Sequence, residues 1–289
     1  MKSLSIYLCV AFVLVLGFLI WVVHLNKPPI TIGFMGPLTG KYADLGVSGR
    51  NGAMLAVEEI NSEGGINGRP LVLIPEDDKG TPEGTKEAFD RLRKANVVAI
   101  IGPMLSTNAI ALKPLIDEAR LVTISPTVST SRLSGLKDYF FRVMNDNRTR
   151  ARGLAMFAME TLPPPSNPPR LWCLVYDMDN FEYTTDFINN FSDTVTSYGD
   201  ITACHVGYRT DGGLVPNYVF ESFEKVKPDA VLLVVSSIDG AQIINYLSTK
   251  LPNVPVFAGS WMMTYELTAR LSKNPNDVFI EYILPPPRR

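Results

Sequence analysis

Two hydroxyl-rich turns are the part of this sequence best suited to binding chemistry. The first, GPMLSTN from Gly102 to Asn108, follows the apolar run VVAIIG, and the second, SPTVSTS from Ser125 to Ser131, continues from LVTIS. In an open parallel sheet, ligands bind outside the carboxyl ends of the strands, where helix N-termini present unpaired N–H groups that suit a carboxylate. Helix capping by Ser and Thr would explain either turn alone, but two such turns on consecutive strands favour a small-molecule site.

Residue patterns typical of catalysis, metal binding and nucleotide binding are missing. The two histidines, His24 and His205, are isolated, and the sequence contains no HExxH, CxxC, GxSxG or GxGxxG. The glycine-rich stretch Gly33–Lys41 fails as a P-loop, because Tyr42 follows the lysine where the motif needs the Ser or Thr that binds Mg²⁺. The sequence therefore predicts no enzyme activity, no cofactor and no metal site.

Charge and length restrict the function further. The 289 residues include 27 Lys and Arg against 29 Asp and Glu, without basic clusters, and 46% of the residues are hydrophobic. A mildly acidic chain offers nothing to a phosphate backbone, which excludes a nucleic-acid partner. The length suits two domains.

The apolar run Leu4–Val23 predicts a membrane segment. It carries no charge and has the roughly 20 residues that a helix needs to cross a bilayer. A signal peptide usually has an apolar region of only about 7–15 residues and a small-x-small cleavage site, and no such site is visible before Pro29. We expect residues 1–28 to be an uncleaved signal anchor or, alternatively, a cleaved signal peptide. In either case the remaining chain is expected in the periplasm or otherwise outside the cytoplasm.

Cysteine usage does not predict a disulfide framework. Cys9 lies in the apolar run, and Cys173 and Cys204 each lie in a strand-like run. Cysteines in strands commonly pack as small hydrophobic side chains, so we expect thiols at these two positions, with a bridge between them as the alternative.

Ten strand-like runs alternate with predicted helices along the chain. The runs are apolar throughout, as in a parallel sheet that is covered on both faces, and the alternation predicts a doubly wound α/β fold. A stiff connection, PPPSNPP from Pro163, follows a boundary near 139–147, so we expect two lobes, residues 30–143 and 144–284. The predicted helices are Val47–Asn61, Pro82–Ala95, Asn108–Glu118, Arg148–Thr161, Phe181–Ser197, Tyr218–Lys225 and Asp239–Lys250.

The hydroxyl-rich turns and the segment that precedes them resemble a known family. The stretch GPLTGKYADLGVSGRNGAMLAVEEINSEGGINGRPLVLIPEDD, followed by IGPMLSTNA and TISPTVST, is similar to the type I periplasmic binding proteins of branched-chain amino-acid ABC transporters. The most specific signal combines an acidic pair, Asp77 and Asp78, with the earlier residues Gly52, Ala56, Ile60, Asn61, Gly64, Gly65, Ile66 and Gly68. The resemblance covers residues 30–284 and is strongest before Val143. It implies two Rossmann-like lobes, joined by hinge strands, that close on a ligand.

The resemblance also implies site residues in the first lobe. Ser106 and Ser129 would donate their hydroxyls to the ligand's carboxylate, and the backbone carbonyl of Thr127 would accept from its ammonium group. Tyr42 would form a wall of the pocket.

In the second lobe the implied residues are an aromatic lid and a polar loop. Phe181 occupies the lid position, and Ser237 and Asp239 lie in the loop. Amino-acid binders of the family carry an acid just after the strand that ends at Gly259, whereas this chain has Ser260 and Trp261. Either Asp239 replaces that acid, or the ligand lacks an α-ammonium and offers Trp261 a flat or apolar surface.

The sequence stops where the family would return to the first lobe. We therefore expect a C-terminally truncated second lobe, with an aberrant tail at residues 285–289.

Two functions fit this resemblance. The first is the solute receptor of an ABC uptake system, which would deliver an amino acid or a related aliphatic or aromatic acid, or an amide, to permease subunits. The second is a membrane-tethered domain that senses a ligand for a signalling partner. An uncleaved anchor favours the sensor, and the prevalence of uptake receptors in the family favours the first.

Overall fold

The computed structural model describes residue 15 and residues 28–164, 168–210, 213–272 and 275–281. Apart from Val15, the predicted membrane segment Leu4–Val23 lies outside the described residues, and so does the tail at 285–289. Within the described ranges, no helix combines the length and the apolar character needed to cross a bilayer.

The strands form two parallel sheets of five strands each. The first sheet consists of β1 (Ile30–Gly36), β2 (Leu71–Asp77), β3 (Ile100–Ile101), β4 (Thr123–Ser125) and β5 (Phe140–Arg142). The second consists of β6 (Leu171–Asp177), β7 (Ile201–Tyr208), β8 (Ala230–Val234), β9 (Val256–Ala258) and β10 (Val278–Ile280). The orders, β2-β1-β3-β4-β5 and β7-β6-β8-β9-β10, are equivalent. The prediction of two doubly wound parallel-sheet lobes is confirmed, and each lobe has a switch point beside its first strand, where ligands bind in such sheets.

Eight helices connect the strands within the described residues. They are α1 (Ala43–Ser62), α2 (Pro82–Lys94), α3 (Ser106–Ala119), α4 (Asn147–Thr161), α5 (Phe181–Ser197), α6 (Asn217–Val226), α7 (Ser237–Lys250) and α8 (Tyr265–Arg270). Seven match the predicted helices to within a few residues at each end. The eighth, α8, has only six residues, too few for a helical periodicity to be visible in the sequence.

Strand β8 illustrates why these strands are apolar throughout. Its residues are all fully buried, but alternate side chains enter different cores. Val231 and Leu233 pack with Phe223 on one face of the sheet, whereas Leu232 packs with Trp172 on the other. A strand covered on both faces has no side that favours polar residues.

Helix α4 packs on the face of the second sheet that carries Trp172 and Leu232. Its residues Ala151, Leu154 and Ala155 are buried in the same cluster as Trp172. The predicted boundary between residues 143 and 144 lies just after β5 and before α4, and this exact division of the chain remains a prediction.

Cys173 and Cys204 form a disulfide. The expectation of two thiols is therefore wrong. The two residues are partners in the register of β6 and β7, with Cα atoms 4.6 Å apart, a separation that a disulfide spans readily. The sequence did not reveal this, because the pairing depends on which strands become neighbours in the sheet.

Candidate functional site

A cavity of about 80 Å³ lies between the lobes, at the carboxyl ends of the strands. Its lining residues include Ser106 and Thr127 from the first lobe, and Arg150, Tyr183, Ser260 and Trp261 from the second. The cavity therefore brings together both hydroxyl-rich turns and residues of the opposite lobe, as a cleft that closes on a ligand requires.

Ser106 is the first residue of α3 and is 2% exposed. The residue that caps this helix is Leu105, which has no side-chain capping bond, so Ser106 is not there as an ordinary cap. Its hydroxyl oxygen accepts the backbone N–H groups of Ser129 at 3.3 Å and Thr130 at 3.4 Å. Among the described residues its own hydrogen has no acceptor, so this hydroxyl can donate to a group in the cavity.

Ser129 is fully buried and does not line the cavity. Its hydroxyl oxygen instead accepts from Nη1 of Arg150 at 2.8 Å. Arg150 does line the cavity. The structure thus connects Ser129 to the cavity through the guanidinium that it holds.

Of the other two residues predicted in the first lobe, Thr127 lines the cavity and Tyr42 does not. The hydroxyl of Thr127 donates to the carbonyl of Met104 at 2.6 Å, so that hydrogen is not free for a ligand. Tyr42 is buried, and its ring lies 5.3 Å from that of Trp261. Tyr42 therefore packs against Trp261, which itself lines the cavity.

Arg150 is a buried cation that sequence reasoning missed. It is 5% exposed, and Glu281 accepts from its Nε at 2.8 Å and its Nη2 at 2.9 Å. Nη2 also donates to the hydroxyl of Ser260 at 2.5 Å. Most of its donors are therefore satisfied inside the protein, and two-point pairing of this kind fixes the plane of a guanidinium.

Tyr183 has a buried hydroxyl without a hydrogen-bond partner in the described part of the chain. The residue is 5% exposed and lines the cavity, with its ring 5.7 Å from that of Trp261. Burial outweighs the opposing effect of the Arg150 guanidinium and raises the pKa of Tyr183 to about 12, so the hydroxyl stays protonated. An unsatisfied buried hydroxyl costs about 1–3 kcal/mol, which a ligand atom in the cavity can recover.

Lys41 binds acids of the opposite lobe. Its ammonium lies 2.8 Å from Asp177, 3.3 Å from Asp179 and 3.3 Å from Asp239, and its side chain is only 9% exposed. Burial by itself would lower the pKa of Lys41, but these aspartates outweigh burial and raise it. The hydroxyl of Tyr42 also donates to Asp177, at 2.9 Å, so adjacent residues of the first lobe bind one carboxylate of the second.

Further hydrogen bonds hold the two lobes together on other sides of the cleft. Asp44 accepts from the hydroxyls of Ser237 at 2.6 Å and Thr264 at 3.1 Å. Arg132 pairs with Glu182 at 2.5 Å. The structure is therefore that of a closed cleft.

In the second lobe, three of the four predicted residues do not line the cavity. Phe181 begins α5 but is 42% exposed. The hydroxyl of Ser237 is engaged by Asp44. Asp239 accepts from the hydroxyl of Tyr208 at 2.9 Å and pairs with Lys41. None of the three lines the cavity, and their predicted contacts with a ligand remain untested.

A larger open groove, of about 690 Å³, lies at the opposite edge of the second sheet. Arg170, Asp229, Pro255 and Asp277 line it, and each directly precedes a strand. The groove is therefore at the amino ends of the strands. Ligands of open parallel sheets bind at the carboxyl ends, and we assign the site to the smaller cavity between the lobes.

Comparison with known proteins identifies the family. A sequence model of the periplasmic binding protein family matches residues 29–260. A relative from Rhizobium johnstonii, the Leu/Ile/Val-binding protein BraC3, is 36% identical over 105 residues, which are 36% of this chain and 29% of the relative. A substrate-binding protein of a chemotactic signal transduction system, BasB from Halobacterium salinarum, is 31% identical over 115 residues, 38% of this chain and 28% of the relative. These matches thus span about three tenths of the length of each relative.

Solved structures share the fold. The branched-chain amino acid substrate-binding protein LivJ from Streptococcus pneumoniae, in complex with isoleucine, has a TM-score of 0.74 at 21% identity, covering 87% of this chain and 70% of the other. A solute-binding protein of an ABC transporter from Rhodopseudomonas palustris, in complex with 3,4-dihydroxybenzoic acid, has a TM-score of 0.73 at 18% identity, covering 86% and 66%. These two structures share the two-lobed fold, and the family model that matches residues 29–260 shows that the chain belongs to the periplasmic binding protein family.

Proposed function

We propose that this protein is the extracytoplasmic solute-binding protein of an ABC uptake system and binds an amino acid or a related small carboxylate between its lobes. The observation that carries the proposal is the cavity of the cleft, where the hydroxyl of Ser106 and the guanidinium of Arg150 both face one small space. The N-terminus of α3 begins at Ser106, and its partial positive charge favours an anion there. Proteins of this fold that bind isoleucine and 3,4-dihydroxybenzoic acid support a carboxylate ligand.

In the proposed function, the two lobes close on the ligand. Lys41 and Tyr42 contact Asp177 across the cleft, and the cavity is lined from both lobes. A ligand that contacts both lobes stabilises the closed form relative to the open one, and the population shifts accordingly. Binding without turnover is sufficient for this role.

The proposed binding residues are those that line the cavity or hold a residue that lines it. Ser106 donates to the carboxylate, Ser129 acts by holding Arg150, and Thr127 contributes its carbonyl. Trp261 covers the apolar part of the ligand, with Tyr42 behind it. In the second lobe we assign to Tyr183 the role that the sequence suggested for Phe181.

A ligand screen tests the proposed function. Purified protein is heated with amino acids, amides and aliphatic and aromatic acids, and the unfolding midpoint is recorded. A ligand present at 100 times its Kd adds about 2.7 kcal/mol to stability, which raises the midpoint measurably. Stabilisation by a carboxylate that Ser106→Ala weakens supports the proposal, and a full panel without stabilisation contradicts it.

We further propose that the two lobes lie outside the cytoplasm, tethered by Leu4–Val23, and deliver the ligand to permease subunits. The support is the charge-free run of that segment and the family to which the chain belongs. N-terminal sequencing of protein from cells tests the tether. A mature chain that starts near Lys27 would show a removed signal peptide instead.

A ligand-sensing domain of a membrane-tethered signalling receptor is the second candidate function. The observation in its favour is the relative from a chemotactic signal transduction system. Deletion of the gene separates the two functions. Loss of uptake of the radiolabelled ligand supports the transporter, whereas intact uptake with a lost behavioural or transcriptional response supports the sensor.

A further inference from the structure

We infer that the cleft selects a small carboxylate that lacks an α-ammonium group over the corresponding amino acid. This inference rests on the proposed function and specifies the ligand class of the same site.

The charge that faces the cavity is positive. Arg150 is the one charged side chain among the described lining residues. Glu281, the acid that pairs with Arg150, accepts with one carboxylate oxygen from Nε at 2.8 Å and with the other from Nη2 at 2.9 Å. An ammonium placed in this cavity would meet a guanidinium without a free carboxylate to compensate it, whereas a carboxylate would be attracted.

Asp239 does not supply the missing acid. It is 1% exposed and does not line the cavity, and its Oδ2 lies 2.9 Å from the hydroxyl of Tyr208 and 3.3 Å from the ammonium of Lys41. Of the two alternatives for a ligand at Trp261, the structure therefore favours the one without an α-ammonium.

The remaining polar groups of the cavity favour an acceptor. The hydroxyl of Ser106 already accepts two backbone N–H groups, so it is left to donate. The hydroxyl of Tyr183 is buried and protonated, and its hydrogen has no acceptor among the described residues. Carboxylate oxygens accept from both, while an ammonium would be one more donor beside them and would find the neutral carbonyl of Thr127 as its acceptor.

The rest of the ligand meets an apolar surface. Leu45 and Met104 line the cavity from the first lobe, and Trp261 lines it from the second. The ring of Trp261 lies 5.3 Å from that of Tyr42 and 5.7 Å from that of Tyr183. This surface suits a short aliphatic chain or an aromatic ring attached to the carboxylate.

Calorimetry with matched ligand pairs tests the inference on the full chain. The pairs are leucine with 4-methylpentanoate and phenylalanine with 3-phenylpropanoate, and benzoate is added as a carboxylate without a chain. We expect the des-amino member of at least one pair to bind about tenfold tighter or more, which corresponds to one charged hydrogen bond. Equal or tighter binding of the amino acids overturns this inference and leaves the proposed function standing. Binding of no compound overturns both.

Two variants test the groups that carry the inference. Tyr183→Phe should weaken carboxylate binding about five- to tenfold while the unfolding midpoint of the free protein stays the same or rises, because the lost hydroxyl was unsatisfied. Glu281→Gln should increase the ratio of carboxylate to amino-acid affinity about threefold or more, because Arg150 then faces the cavity without a compensating anion.

The control for Glu281→Gln is Glu266→Gln, which removes a carboxylate from the surface pair of Glu266 with Arg270 and should leave the ratio unchanged. An unchanged or smaller ratio in Glu281→Gln overturns the electrostatic argument. Unchanged carboxylate affinity in Tyr183→Phe overturns its role as a donor to the ligand.

Discussion

The ammonium of Lys41, in the first lobe, lies 2.8 Å from the carboxylate of Asp177, in the second. Asp179 and Asp239 are within 3.3 Å of the same ammonium, so one lysine compensates a group of three acids across the cleft. Separation of the lobes would hydrate all four charges but would leave the acids with less compensation for their mutual repulsion. The ion pairs of Lys41 with these acids therefore favour the closed form, in addition to any ligand contact.

Replacing Lys41 should shift the protein toward its open form. Lys41→Met retains much of the side-chain length but leaves Asp177 and Asp239 buried without a cation. Breaking a buried pair costs about 3–5 kcal/mol, and opening of the lobes relieves part of this. We expect ligand affinity to fall about tenfold to hundredfold, together with a larger radius of gyration by X-ray scattering. Lys86→Met, at an exposed lysine, is the control, and equal affinities in both variants would contradict the role of Lys41.

Replacing Ser106 should weaken binding directly. Ser106→Ala removes a donor to a charged group, which is worth about 1.5–3 kcal/mol, or about tenfold to hundredfold in Kd. Ser129→Ala should cost less, because Ser129 acts through Arg150. Titration calorimetry gives both values. Ser62→Ala, on the exposed end of α1, should bind like the unmodified protein, and unchanged affinity in Ser106→Ala would remove this residue from the site.

Much of the fold could be predicted because its signals are local. Apolar runs gave every strand, and the turns after β3 and β4 identified Ser106 and Thr127 before their neighbours in space were known. The missed residues are those whose role depends on distant partners. Arg150 pairs with Glu281, 131 residues further along the chain, and Lys41 pairs with acids of the other lobe. In the sequence, a buried charged residue looks like an exposed one, since burial follows from packing between lobes.

The position of an aromatic residue relative to the cavity was also hard to predict from the sequence. Phe181 was predicted as a lid from a resemblance in which the second lobe matches less well, and the structure leaves it 42% exposed. We expect Phe181→Ala to change Kd by less than about twofold, as is usual for a surface substitution. Trp261→Ala removes the aromatic surface of the cavity and should weaken binding about tenfold or more. Comparable losses in the two variants, measured with one ligand, would restore Phe181 to the site.

The disulfide between Cys173 and Cys204 should be present in protein exported from the cytoplasm. It closes a segment with a sequence separation of 31 residues, and loss of such a link costs about 3–4 kcal/mol in the chain-entropy description. We expect no alkylation of these cysteines before reduction, and a lower unfolding midpoint for Cys204→Ser. Full alkylation of both in unreduced, unfolded protein would show that the bridge does not form.

Asp78 should make stability depend on pH. It is fully buried and accepts from the N–H of Gly80 at 2.9 Å. Burial, the main cause, together with the negative charge of Asp77, raises its pKa from 3.8 to about 6. The folded protein then holds a proton that the unfolded chain releases between about pH 4 and 6, so this residue stabilises the fold at low pH and loses that contribution as the pH rises.

Asp78→Asn removes this titration. Relative to the unmodified protein, the free energy of unfolding of the variant should therefore increase between pH 4 and pH 7, by at most about 3 kcal/mol for two pKa units. Urea denaturation at both pH values measures the difference. Asp90→Asn changes an acid on the exposed side of α2, and its difference from the unmodified protein should not vary over the same range. A difference for Asp78→Asn that stays constant or decreases as the pH rises would show that the Asp78 carboxyl is not protonated in the folded protein.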